Sequence, residues 1–325
     1  MKLKVSELTK KVNKGLEKLG YAGDDLQTIS EVLMYAQLRD NNQGITKIAT
    51  GGVPQANDVQ SFEVVKENKA GALVSGGNSM VATRNAVNMA VELADKHGLG
   101  IVGANHTFTS SGSIGYFARK VAEAGYIGLV CTSTVPLVAP HGSSEAMLGT
   151  NPIAYAFPTK SRTVVFDTTT AAMAYFGVVE AKLKGEQLPD GIAFDSEGHP
   201  TNDPAKALDG AIAPLAKHKG SGLSLLVQVL GGPFASAGYL GLKGDLGSGT
   251  FVLAIDPGLL ADKEAYLNGA EELISKIKAA KPANVGDIVY LPGEHGDELT
   301  HDRVEADEIE VADAIYNELE IFIKS

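Results

Sequence analysis

The spacing of apolar positions divides the chain into alternating elements. Leu8, Val12, Leu16 and Leu19 recur at helical intervals before Gly20, and Leu26, Ile29, Val32, Leu33, Ala36 and Leu38 form a second stripe. Residues 6–39 therefore read as two helices. Residues 40–60 are turn-rich, with Asp40-Asn41-Asn42-Gln43-Gly44 followed by Gly51-Gly52-Val53-Pro54. Residues 73–78 predict a short strand and turn, and 80–96 a helix with Ala86, Val87, Ala90, Val91 and Ala94 on one face. A strand at 101–104 runs into a loop rich in glycine and hydroxyls, 105–112, then a helix over 116–124 and a strand at 127–132. Strand, helix and strand at this spacing predict a βαβ unit and an α/β sheet.

The second half is more irregular. A long loop of Gly, Pro and Ser covers 136–152, and 153–157 and 163–167 read as paired strands. Helices are predicted over 173–184 and 263–278, with a buried helix at 222–230 approached through His218-Lys219-Gly220, and a strand at 251–256. The tail, 306–323, alternates acidic and apolar residues and reads as a surface helix packed by Ile309, Ala312, Ile315, Leu319 and Ile323. The expected organisation is a helical terminal domain, 1–70 with 290–325, around a central α/β region, 71–289, that binds nucleotide and substrate.

Composition narrows the function. With 325 residues, 44% hydrophobic and 21% charged, the chain has the length of about two domains and builds its core without metals or disulfides. The single cysteine, Cys131, excludes an intrachain disulfide and an all-cysteine zinc site. Twenty-eight basic against 39 acidic residues, a net charge of −11, argue against a nucleic-acid partner. An anionic substrate needs a local cationic pocket. No apolar run approaches the ~18–20 residues that cross a bilayer, and Met1-Lys2-Leu3-Lys4-Val5 turns polar at once, so a cytoplasmic protein with no membrane partner is expected.

Gly98-Leu99-Gly100-Ile101-Val102-Gly103 matches the dinucleotide-binding string G-x-G-x-x-G. That fingerprint works when a strand precedes it and a helix opens on it; here the order is reversed, and a helix-to-strand turn is predicted instead of a Rossmann domain. The seven histidines make no short metal spacing, and no metal site is expected. Neither a G-x-S-x-G elbow nor a phosphate-binding G-x-x-x-x-G-K-[ST] loop is present. Four polar clusters remain: Asn42 to Lys47, Asn105 to Gly112, Gly149-Thr150-Asn151-Pro152, and His218-Lys219-Gly220-Ser221-Gly222. A helix start with a lysine suits a phosphate or carboxylate, and a loop at a strand end suits an imidazole acid or base.

These clusters, in this order and together with Leu188-Pro189, Asp195 to Gly198, Thr201-x-Asp203-Pro204 and Leu291-Pro292-Gly293-Glu294, resemble the malate/L-lactate dehydrogenase family. That family includes ureidoglycolate, sulfolactate, diketogulonate and piperideine-carboxylate enzymes. The resemblance implies a non-Rossmann, sulfolactate-dehydrogenase-like α/β fold: a mixed sheet with helices on both faces, plus N- and C-terminal helical segments. It also implies hydride exchange between NAD or NADP and a small 2-hydroxy acid or its 2-oxo acid, or the analogous imine reduction, in a homodimer with the active site near the subunit contact. The family's cofactor positions fall on Thr134, Asp167, Thr168, Thr169, His218 and Lys219, where a carboxylate with hydroxyls suits a ribose and a lysine a phosphate.

The chain departs from the family at the centre of the chemistry. Where Ser-His-Gly, two residues and Arg are usual, it reads Asn42-Gln43-Gly44-Ile45-Thr46-Lys47. Gln43 hydrogen-bonds but shuttles no proton, and Lys47 keeps the charge but loses the bidentate fork. The second family histidine falls on Ser110, with His106 four residues earlier in a loop one residue longer than in the ureidoglycolate enzyme. Three readings follow. His106 swings in as acid/base while Lys47 holds the substrate carboxylate and Asn42 or Gln43 orients the carbonyl. Alternatively the substrate class has shifted, for example to an imine, with the proton carried by water or another group. In the third reading, the chain is a nucleotide-binding paralogue that has lost catalysis.

Overall fold

The computed structural model describes residues 1–107, 109–284 and 286–325, with Asp245 by its backbone alone. The chain opens with β1 (Lys2–Leu3), α1 (Val5–Lys18), α2 (Gly23–Gln37) and the one-turn α3 (Thr46–Ala49). It continues through β2 (Glu63–Glu67), β3 (Gly71–Ser75), α4 (Ser79–His97), β4 (Leu99–Thr107), α5 (Gly115–Glu123) and β5 (Ile127–Ser133). Then come β6 (Ile153–Pro158), β7 (Thr163–Thr168), α6 (Tyr175–Lys184), β8 (Ala193–Phe194), α7 (Pro204–Asp209) and β9 (Ala211–Ile212). The last elements are α8 (His218–Gly231), β10 (Ser248–Ile255), α9 (Lys263–Lys278), α10 (Glu294–Glu305), β11 (Ile309–Glu310) and α11 (Asp313–Lys324).

A seven-stranded mixed sheet in the order β2-β3-β4-β10-β5-β6-β7 forms the centre. Only β3 and β4 are parallel neighbours, and α4 links them as a βαβ unit. Alternation along the strands separates two faces. Val102, Val130, Ala154, Ala156, Val252 and Ala254 point into the largest core cluster with α4 and α5, while Leu129, Cys131, Ile153 and Phe251 meet Val227 of α8. Val164 and Phe157 take the α8 side further along, against Ile274 of α9. Helices thus cover both faces, as the family resemblance implies. The chain ends meet: β1 and β11 pair antiparallel, Leu3 opposite Ile309.

Three sequence expectations change. The βαβ unit read over residues 101–132 is interrupted, because β10 inserts antiparallel between β4 and β5. A partner so distant in sequence leaves no local signal. α8 is not a buried helix: Leu225 is 58% exposed, Leu226 50% and Val229 48%. The tail helix begins only at Asp313, because Ile309 and Glu310 are drawn into pairing with β1. The discounted glycine string behaves as its order predicted, with Gly98 (φ 77°) closing α4 and β4 starting at the next residue.

Candidate active site

A cavity of about 760 Å³ opens where four loops meet: the one after α2, the one between β4 and α5, the one between β5 and β6, and the segment from β7 to α6. Its wall includes Asn42, Gln43, Ser110, Thr134, Asp167 and Phe176, drawn from across the chain. Asn42 and Gln43 sit side by side, with the Gln43 amide donating to Asn42 Oδ1 at 2.9 Å. Arg39 presents the cationic side chain of this wall. It stacks 3.7 Å above the Tyr35 ring and pairs with Asp297 at the start of α10.

Lys47 lies directly behind the wall. It is fully buried, the largest side chain so placed. Its Nζ donates to Ser110 Oγ at 2.7 Å and stands 3.3 Å from the centre of the Phe176 ring. Gly52 permits this packing, since a Cβ there would come within 2.7 Å of Phe176 and 2.8 Å of Lys47. Burial drives the Lys47 ammonium well below its ordinary pKa, against a weaker upward pull from Glu180. Glu180 is held apart by Thr46 Oγ1 at 2.8 Å and by Lys184.

Ser110 is the hinge between Lys47 and the cavity. It accepts from Lys47 and, at 3.2 Å, from the Gly112 N–H. Ser110 Oγ donates to no acceptor among the described residues, and Ser110 lines the cavity.

His106 does not join them. Between Thr107 opposite Ser248 and Ala104 opposite Thr250, β4 carries one residue more than β10. This is a β-bulge, and His106 occupies it with φ 52°. The bulge turns the imidazole towards β3. Its Nδ1 lies 2.9 Å from both Ser75 Oγ and Asn105 Oδ1, and Asn105 is tied to the Ala235 and Ser236 carbonyls. His106 is therefore outside the cavity wall, and the slot beside Lys47 belongs to Ser110. Phe108, in the same loop, lies outside the described residues.

Asp167, Thr168, Thr169 and Thr134 line the same cavity. Asp167 Oδ2 accepts from Ser113 Oγ and from the Gly115 N–H that opens α5, both at 2.8 Å. Its Oδ1 has no protein partner among the described residues. Burial raises the Asp167 pKa, opposed by those two donors. Asn151 explains the Gly-Thr-Asn-Pro string structurally. It is fully buried at φ 39°, takes the Thr134 N–H at 3.0 Å, and donates to Ser224 Oγ at 3.0 Å and Gln228 Oε1 at 2.9 Å. It thereby ties the Thr134 loop to α8. His218 and Lys219 stand exposed at the start of α8, outside the cavity wall. Sequence reasoning missed Arg39, Phe176 and Glu180, which carry no motif and meet Lys47 or the cavity only through the fold.

Residues 3–320 match the sequence profile of the malate/L-lactate dehydrogenase family. This chain belongs to that family. Malate/(S)-sulfolactate dehydrogenase of Methanothermus fervidus is 32% identical over 297 residues, covering 86% of this chain and 85% of that protein. The ureidoglycolate dehydrogenase (NAD(+)) of Escherichia coli K12 is 29% identical over 338 residues, 98% of this chain and 95% of the relative. Among solved structures, sulfolactate dehydrogenase from Methanocaldococcus jannaschii superposes with a TM-score of 0.81 at 30% identity, over 100% of this chain and 97% of that one. As a member of a dehydrogenase family, the protein is an oxidoreductase whose relatives act on small acids. The match runs nearly end to end, and the fold is shared with the solved relative.

Proposed function

We propose that this protein transfers a hydride between a nicotinamide dinucleotide, NAD or NADP, and a small 2-hydroxy acid or its 2-oxo acid. One observation carries the reading: a single cavity is lined by a carboxylate with an oxygen left unpartnered among the described residues, by threonine hydroxyls, and by amide, serine and guanidinium groups. The donor set suits the cofactor. Asp167 Oδ1 is free to accept from ribose hydroxyls, with Thr134, Thr168 and Thr169 beside it. The relative named for NAD(+) supports the same choice. Lys219 and His218 remain the outer contacts for phosphate, on the helix that Asn151 ties to Thr134.

When bound, the nicotinamide supplies or takes up the hydride. The protein's own groups do the rest. Asn42 and Gln43 orient the substrate oxygen by their amides, and Arg39 supplies the charge that a carboxylate needs in a chain of net −11. Lys47, expected to hold that carboxylate, points its ammonium at Ser110 and is shut off from the cavity.

We further propose a homodimer. Leu225, Leu226 and Val229 of α8, with Phe234 just beyond, leave an apolar row in the open, and Tyr155 and Phe166 are exposed on the same side of the sheet. Following the nicotinamide absorbance with both cofactors across a panel of 2-oxo acids, 2-hydroxy acids and cyclic imines tests the activity. Turnover of an oxo or hydroxy acid is expected. Absence of both turnover and dinucleotide binding overturns the reading.

A further inference from the structure

The Lys47–Ser110 pair borders the cavity, and no histidine stands among the described residues of its wall. Moving a hydride to a carbonyl carbon pushes an electron pair onto its oxygen, which must gain a proton; the reverse reaction must remove one. Asn42 and Gln43 are amides, and Arg39 keeps its proton. Ser110 alone has a hydroxyl that faces the cavity on one side and a buried amine on the other. A serine hydroxyl is too weak an acid or base by itself, so its partner decides what it does.

We infer that Ser110 is the catalytic group that exchanges the proton with the substrate oxygen, and that Lys47, acting through it, is the positioning residue that holds the proton in reserve. The inference rests on the hydride-transfer reading above. In reduction, the carbonyl π bond opens as the hydride from the reduced nicotinamide forms the new C–H bond. The substrate oxygen takes the Ser110 hydroxyl proton, and Ser110 Oγ takes one from the Lys47 ammonium. Lys47 is left as a neutral amine and regains its proton through Ser110, which takes one from water that enters the cavity when product leaves. Oxidation runs the same transfers backwards: the Ser110–Lys47 pair removes the hydroxyl proton as hydride goes to the oxidised nicotinamide.

The surroundings suit this use. Phe176 closes Lys47 off from water, and the apolar contact of Ile48 with Gly15 and Leu319 packs α3 against α1 and α11. From α6, Glu180 is the acid that acts on Lys47, and its charge is shared with Lys184. Arg39 and Asp40 face the same cavity. An amine whose charged form is disfavoured by burial gives up its proton at lower pH than a solvated lysine does.

The test compares kcat, KM and their pH profiles for the parent protein and four variants, with calorimetric titration of the reduced dinucleotide into each. Ser110→Ala is expected to lower kcat about 10²–10³-fold while dinucleotide affinity stays within about threefold, and Ser110→Thr, which keeps a hydroxyl, to recover most of the loss. Lys47→Met is expected to lose the pH limb in which reduction slows as pH rises. Lys47→Arg separates the roles: it restores a cation that binds carboxylates well, so a lysine that merely held substrate would tolerate it, whereas a proton store that no longer titrates stays inactive. Lysine side-chain NMR gives a readout independent of turnover: one resonance, absent from Lys47→Met, should titrate well below the remaining lysines and shift in Ser110→Ala. An active parent with Ser110→Ala or Lys47→Arg within about threefold of it at every pH overturns this inference alone. A parent that neither binds dinucleotide nor turns over overturns the underlying reading with it.

Discussion

A lysine fully enclosed by protein is the residue on which this site turns. Replacing the Lys47 amine with an apolar chain of similar length removes a desolvated polar group. Lys47→Met is therefore expected to raise the unfolding free energy by roughly 1–3 kcal/mol near neutral pH while lowering turnover. The pH dependence has a fixed sign. The native pKa of Lys47 lies below its unfolded value of 10.5, so between the two the unfolded chain binds more protons and parent stability rises with pH. Urea unfolding at several pH values should show that rise in the parent and lose it in Lys47→Met. Asn151 acts in the opposite direction: Asn151→Ala leaves the Thr134 N–H and Gln228 Oε1 without their buried partner and is expected to cost about 2–4 kcal/mol in the same assay. Both residues were visible in the sequence as members of clusters, yet their physical roles were not. Nothing local says that Lys47 meets Ser110, or that Asn151 is a structural clasp.

At the scale of the element, the bulge in β4 decides which side chain faces the substrate. The sequence marked His106 as a candidate but carried no signal of the bulge, where a positive φ directs the ring to Ser75. His106→Ala is accordingly expected to keep kcat within about threefold of the parent across pH, measured beside Ser110→Ala. α10 offers a second test. Burial pushes the Glu294 carboxyl up, but Lys278, the Leu291 N–H and Arg162 outweigh it and hold its pKa at about 2. Because this lies below its ordinary 4.5, the stabilisation is present above that value and is lost as pH falls towards 2. Glu294→Gln should be less stable than the parent at neutral pH and converge with it in acid, as read by urea unfolding. The paired strands at 153–157 and 163–167 and the helix at 263–278 were legible because their patterns are local and periodic. α10, held by ion pairs to Arg162 and Lys278, was not.

For the whole molecule, the family resemblance conveyed the mixed sheet and its two helical layers, whereas periodicity alone missed the order of strands. β10 was recognised as a strand but not as the partner of both β4 and β5, since that pairing is chosen by burial on both faces. The exposed row on α8 escaped for a related reason: an apolar helix reads the same whether its own chain or a second copy covers it. Leu226→Glu is expected to convert a dimer to monomers in analytical ultracentrifugation, and an unchanged sedimentation coefficient would contradict the assignment of that face. The central claim, that this cavity passes a hydride from a nicotinamide to a small acid, is tested most directly by isotope transfer. Reduced dinucleotide carrying deuterium at its transferable position is incubated with a 2-oxo acid that the panel identifies, and the product is examined by mass spectrometry. The account predicts one deuterium on the carbon bearing the new hydroxyl, formed by the parent and lost with Ser110→Ala. A product without label would contradict the central claim, and label transferred equally fast by both proteins would contradict the role of Ser110 alone.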